Sequence, residues 1–223
     1  MTINIGYLYY DLLNLYGEIG NIKIIKYQLE KQNIKVNIDK VTLEDNININ
    51  KYDLIYLGSG TEKNIETVYQ NIKQYKDDLK NYIKDNKFIL VTGNAIDLLT
   101  KDHLNLYDID IKDKEKRYIE ELNITNNYIK DNIIGLTNRY GYIKNTKNPL
   151  YEDKGIKDNN LYATSLIGPI MVKTPLFLEY FLKELIKSKE KKFKFKKFDL
   201  ELEKKAYKEF IKFKEQKINK FKE

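Results

Sequence analysis

"KFILVTGNAIDLL" (Lys87–Leu99) is the stretch whose reading decides the fold. Phe88–Val91 is a short apolar run bounded by polar and turn residues, the pattern of a strand buried on both faces. Gly93-Asn94 supplies a tight turn, and a helical-looking segment follows. Strand, sharp turn and helix in that order form the nucleophile elbow of many α/β enzymes. The residue expected at the apex here is Thr92, and the chain contains no cysteine. A β-branched residue at a strand end is first of all a structural choice.

Outward from this stretch the same rhythm repeats. "INIGYLY" (3–9) reads as a buried first strand. A helical face follows over 21–31, carried by Ile22, Ile25 and Leu29. "IKVNID" (34–39) alternates like a second strand, and "YDLIYLGSG" (52–60) is an apolar strand ending in a glycine turn. A long amphipathic helix is predicted over 62–84. Three β-α repeats with apolar strands imply a parallel sheet covered on both faces. From 105 to 138 the period changes to two, in "LYDIDI", "KRYIEELNI" and "NIIGLTN", which predicts antiparallel strands added to the sheet. Residues 139–160 read as a long polar loop, 161–169 as a last strand, and 175–187 as a helix starting at Pro175. A basic linker, "KSKEKKFKFKK" (187–197), leads to a C-terminal helix. Asp199 is its expected N-cap, and Leu202, Ala206, Phe210 and Phe213 share one side. Ligands of open parallel sheets collect at the carboxyl ends of the strands. That gathers Tyr9–Asp11, Gly58–Gly60, Thr92–Asn94 and Leu166–Gly168 around one crevice.

Composition narrows the classes. No apolar run reaches the roughly 20 residues of a membrane span, and the opening lacks the pattern of a signal peptide, so the expectation is a cytoplasmic chain. Without cysteine there are no disulfides or thiolate metal sites, and no metal or cofactor is expected. The net charge is +7, but only Arg117 and Arg139 are arginines. Bidentate phosphate and guanine readers are therefore scarce, and a nucleic-acid role is disfavoured. Abundant Lys, Ile, Asn and Tyr throughout is what an AT-rich genome would impose.

The stretch "LYYDLLNLYGEIGNIKIIKYQLEKQNIKVNI" (8–38) resembles the opening of class I glutamine amidotransferases of the cobyric acid synthase type. Within that type it is most similar to the glutaminase subunits of lipid II isoglutaminyl synthases. Asp11, Leu12, Asn14, Tyr16, Gly17, Gly20 and Asn21 match the family's "Asp-Leu-x-Asn-x-Tyr-Gly-x-x-Gly-Asn". "DLIYLGSGTE" (53–62) resembles the glycine-rich loop whose N–H groups help form the oxyanion hole. "GLTNRYGY" (135–142) is similar to the "Gly-Phe-Glu-Asn-His" segment, and "LYATSLIGPIMVKTPLFLEYFL" (161–182) to the "Gly-Thr-x-x-His-Gly-Pro" strand and its helix. "FDLELEKKAYKEF" (198–210) resembles the family's C-terminal helix.

The resemblance implies a flavodoxin-like α/β domain over 1–187, with a mainly parallel sheet, added antiparallel strands and helices on both faces. Residues 188–223 form the basic linker and an amphipathic helix packed on that domain or extending it. It also implies a heterodimer with a Mur-ligase-like, ATP-dependent subunit in peptidoglycan precursor amidation, and a glutamine-like molecule as the ligand of any surviving crevice. The catalytic pair is not matched. Against the family's "Cys-Gly-Gly-Tyr-Gln", Thr92 takes the cysteine's place and Gly93 stays, while Asn94, Ala95 and Ile96 replace the rest. Ile167 stands where the family has histidine. The single histidine, His103, is expected in a solvated loop. Gly58, Ser59, Gly60, Gly93 and Asn94 are the candidate crevice residues. Asp11 and Asn14 are candidates for a ligand or partner contact, as is Arg139, for which a surface salt bridge is the plainer role. The leading expectation is a catalytically degenerate subunit that binds or regulates its partner. The alternative is an active enzyme, either a glutaminase with an unorthodox nucleophile or one acting on another small molecule.

Overall fold

The computed structural model describes residues 1–145 and 147–220. A six-stranded sheet runs in the order β2-β1-β3-β4-β8-β7. Its strands are β1 (Thr2–Leu8), β2 (Lys35–Val41), β3 (Leu54–Leu57), β4 (Phe88–Val91), β7 (Ile156–Asp158) and β8 (Leu161–Ala163). The first five in that order are parallel, and β7 closes the edge antiparallel to β8.

The period-two geometry of strands explains the two cores. Leu54, Tyr56, Phe88 and Leu90 point to one face, with α1 (Ile19–Lys31) and α5 (Pro175–Lys189). Ile55, Leu57, Ile89 and Val91 point to the other, with α2 (Glu62–Ile72) and α3 (Lys76–Lys84). Both faces being apolar is why the central strands show no alternation in sequence. Thr61 caps α2, its hydroxyl accepting from Asn64 N at 3.1 Å.

Several expectations need correction. The helix foreseen over 62–84 is two helices, separated by a 3-10 turn at Lys73–Tyr75. After Thr92 the chain makes a 3-10 segment, Gly93–Leu99, in place of an α-helix. "LYDIDI" is bend and irregular chain, and strand β5 (Ile111–Ile124) begins only at its end. β6 (Ile133–Ile143) runs on into the supposed polar loop, because Thr137, Arg139, Gly141 and Ile143 alternate inward. The antiparallel strands do not extend the main sheet. β5 and β6 form a separate ribbon, bridged to the rest where Ile167 N donates to Leu136 O at 2.8 Å. Helix α4 (Ile170–Lys173) follows that bridge, and α6 (Glu201–Lys220) begins two residues after Asp199. The Asp199 carboxylate accepts from Tyr27 OH at 2.7 Å and pairs with Lys31.

No helix among the described residues is long and apolar enough to cross a membrane.

Candidate functional site

The crevice expected at the carboxyl ends of the strands exists as a meeting point of loops. The loop after β3 (Gly58–Gly60), the turn after β4 (Thr92–Asn94) and the segment after β8 (Leu166–Gly168) come together there. The segment preceding α1 joins them. A centre that motif reading missed holds them: Glu18, fully buried at 0% exposure. Its carboxylate accepts from Thr92 Oγ1 at 2.6 Å, Asn21 Nδ2 at 2.9 Å, Gly168 N at 2.9 Å and, in a very short bond, Tyr56 OH. Thr92 and Tyr56 also have 0% exposure, and their oxygens lie 3.0 Å apart. Asn21 completes the link by accepting from Met171 N at 2.9 Å.

Burial disfavours the charged carboxylate, and the four hydrogen bonds favour it. Burial prevails and raises the Glu18 carboxyl to about 7. Burial, aided by the Glu18 charge, pushes the Tyr56 phenol far above its usual value, so it remains a donor at any physiological pH. The only sequence sign of this centre was an acidic residue between Gly17 and Gly20 at a helix start.

The turn itself departs from expectation. Thr92 is extended (φ −127°, ψ 153°), and the left-handed residue is Gly93 (φ +63°). The sharp turn from which a nucleophile projects in such elbows is thus made one residue later than expected. A Cβ built on Gly93 would lie 2.4 Å from Ser59 Cβ and Oγ and 3.1 Å from Ile167 Cγ2. The direction in which a Gly93 side chain would project therefore runs between the glycine loop and the Ile167 position, and Ser59 fills it.

The crevice polar groups bond to one another. Asn94 Oδ1 accepts from Ser59 Oγ at 3.1 Å and Gly60 N at 3.0 Å, while Asn94 Nδ2 donates to Gly60 O at 2.8 Å. Thr92 N donates to Leu57 O, and Gly93 N to Leu166 O, both at 2.9 Å. Gly58 is pressed against the chain after β1, where a Cβ would lie 2.3 Å from Leu13 O. The N–H groups of Gly60, Thr92, Gly93 and Gly168 are all committed within the protein. Ile96 and Ile167 are buried alongside them.

The remaining candidates lie elsewhere. Asp11 is exposed, and exposed Asn14 turns its Oδ1 to accept from Ile19 N at 2.8 Å, bracing the entry to α1. Arg139 does not make a surface salt bridge. At 3% exposure it pairs with Asp97 of the 3-10 segment at 2.6 Å, and its Nε donates to Gly141 O at 3.0 Å. Burial pushes the Asp97 carboxyl up against the pull of Arg139. His103 is mostly covered, edge-on to Tyr69 with centroids 4.9 Å apart, and not a solvated loop residue. Among the described residues no group of three or more His, Asp or Glu is placed to hold a metal ion.

Sheet order, the strand-turn of β4 and the loops gathered around it define a glutamine-amidotransferase-like α/β fold. Structures of that fold superpose on it: PurLQS from Thermotoga maritima, with TM-score 0.53 and 14% identity over 84% of this chain and 97% of that one. The glutaminase domain of Trypanosoma brucei CTPS with bound acivicin gives TM-score 0.51 and 9% identity, over 90% and 97% of the two chains. Among curated proteins, the chain is similar to the lipid II isoglutaminyl synthase (glutamine-hydrolyzing) subunit GatD of Streptococcus pneumoniae, 25% identical over 76% of this chain and 75% of that protein. The subunit of the same name from Staphylococcus aureus is 26% identical over 86% and 88%. No protein-family model matches the chain.

Proposed function

We propose that this protein is a glutamine-amidotransferase-like subunit of a lipid II-amidating assembly that works by binding an ATP-dependent, Mur-ligase-like partner and does not itself hydrolyse glutamine. The carrying observation is Gly93. Amide hydrolysis by this fold needs a nucleophile at the turn and a base beside it. At Gly93 there is no side chain, Ser59 fills the space, and the neighbouring position is Ile167. The commitment of the Gly60 N–H to Asn94 Oδ1 supports the same reading, since an oxyanion hole needs donors free to meet developing charge. Similarity to subunits named for lipid II amidation supports the pathway.

One observation favours a second reading. Thr92 Oγ1 lies 2.6 Å from Glu18, the contact a hydroxyl nucleophile and its base would make. Both groups have 0% exposure, which argues against substrate reaching them.

Ammonia release from glutamine, by the purified chain alone and with a Mur-ligase-like protein from the same genome, separates the two. The expected result is no release in either mixture, together with co-purification of the two proteins. Release that disappears in Thr92→Ala overturns the reading in favour of the Thr92–Glu18 pair. A chain that ignores every such ligase overturns the partner role.

A further inference from the structure

The basic stretch that begins in the last turn of α5 and runs beyond it is not a loose tether. Seven lysines occupy the eleven positions Lys187–Lys197, and the extended part is pinned to α1 by two buried glutamines. Gln32 accepts from Lys196 N at 2.8 Å and donates to Lys196 O at 3.1 Å. Gln28 does the same to Asp199, at 3.2 Å and 2.5 Å. Each side-chain amide satisfies both backbone groups of one residue, as a neighbouring strand would.

Backbone alternation sorts the side chains from Phe193 to Lys196, and the phase slips by one before Phe198. Phe193, Phe195 and Phe198 pack on one another and on the core, with centroids 5.1 Å apart for the first pair and 6.2 Å for the second. Lys192, Lys194 and Lys196 fall on the other side and are exposed, as are Lys191 and Lys197. Among the described residues Lys191, Lys192, Lys194 and Lys196 form no ion pair, whereas the flanking Lys187, Lys189 and Lys197 are paired with Glu184, Asp53 and Glu201.

We propose that this pinned row of lysines is a docking surface for an anionic lipid bilayer. A compact ammonium is a strongly hydrated point charge suited to a diffuse anionic surface, and guanidinium forks are absent from the row. Clusters of four to eight basic residues bind anionic leaflets in this way, with each lysine contributing and salt weakening the contact. Single-stranded nucleic acid fits less well, because it needs outward rings on which bases stack, and the three phenylalanines here face inward. Apolar insertion is likewise not called for, so the contact is electrostatic and peripheral. The proposal does not depend on the amidotransferase reading.

The test is co-sedimentation of the full chain with vesicles of phosphatidylcholine containing 30% phosphatidylglycerol, and with pure phosphatidylcholine. Binding is expected to the first and not to the second, and to fall steeply between 50 and 300 mM salt. The triple variant K191Q/K192Q/K194Q should bind the anionic vesicles at least ten-fold more weakly. The variant K63Q/K80Q/K84Q, with the same change in net charge at exposed sites on other elements, should lose less than two-fold. Equal losses would reduce the effect to net charge and overturn the proposal. So would the absence of binding to anionic vesicles, or preferential binding of a single-stranded oligonucleotide that the first triple variant abolishes. Circular dichroism of both variants shows that they are folded.

Discussion

At the scale of single residues, Glu18 is the group on which the centre turns. Its side chain reaches three other segments of the chain and has no exposed surface. Because burial raises its carboxyl to about 7 when folded, against an ordinary 4.5 in the solvated, unfolded chain, folding takes up a proton between those values. The stabilisation is fully present below about pH 4.5 and is lost as pH rises through 7, roughly 3 kcal/mol in all for a shift of this size. Urea unfolding of the protein and of Glu18→Gln at pH 4.5 and pH 8 checks this. Relative to the variant, the unsubstituted protein should lose roughly that amount on going to pH 8. A constant difference between the two would show that Glu18 titrates normally.

At the scale of elements, the β5-β6 ribbon is tied to the rest of the chain by the Leu136–Ile167 bridge and, among other links, by the Arg139–Asp97 pair. It joins β6 to the 3-10 segment that replaces the elbow helix. A buried pair contributes little over an apolar substitute, but removing one member leaves an unpaired buried charge. Arg139→Leu should therefore cost about 3–5 kcal/mol. The double variant Arg139→Leu/Asp97→Leu should recover most of that loss. Thermal or urea midpoints of the three proteins decide the matter, and a single variant as stable as the double would show that Asp97 needs no partner.

At the scale of the whole molecule, the C-terminal segment is tied to the first helix by Gln28 and Gln32, more than 160 residues away in sequence. Phe198 and Leu200 bury their side chains beside those clamps. The double variant Gln28→Ala/Gln32→Ala should leave the backbone of Lys196 and Asp199 without these partners. Amide exchange over 195–200 should accelerate at least ten-fold, while exchange in β3 and β4 stays as it was. That pattern is the signature of local opening without global loss of stability. Equal acceleration everywhere would mean that the segment is integral to the main core.

Much of the architecture was legible because its signals are local. The apolar runs 54–57 and 88–91 announce buried strands, and the intervening amphipathic stretches announce covering helices. The 8–38 stretch carried a resemblance that the fold comparisons match at the level of the α/β class. Legibility failed where the deciding partner is distant. Whether β5 and β6 extend the sheet or stand apart depends on which edge accepts them, and period two is the same in both cases. Glu18 looks like a surface charge at a helix start until Thr92, Tyr56 and Gly168 are brought to it. The identity of the left-handed residue, Gly93 and not Thr92, follows from where β4 stops pairing, which neighbouring strands fix. The sequence by itself therefore determined the α/β alternation, the sheet's burial on both faces and the absence of a thiol. Only the tertiary structure decided that the crevice polar groups bond to each other around a buried carboxylate, because burial and hydrogen-bond partnership are properties of chain segments meeting from far apart.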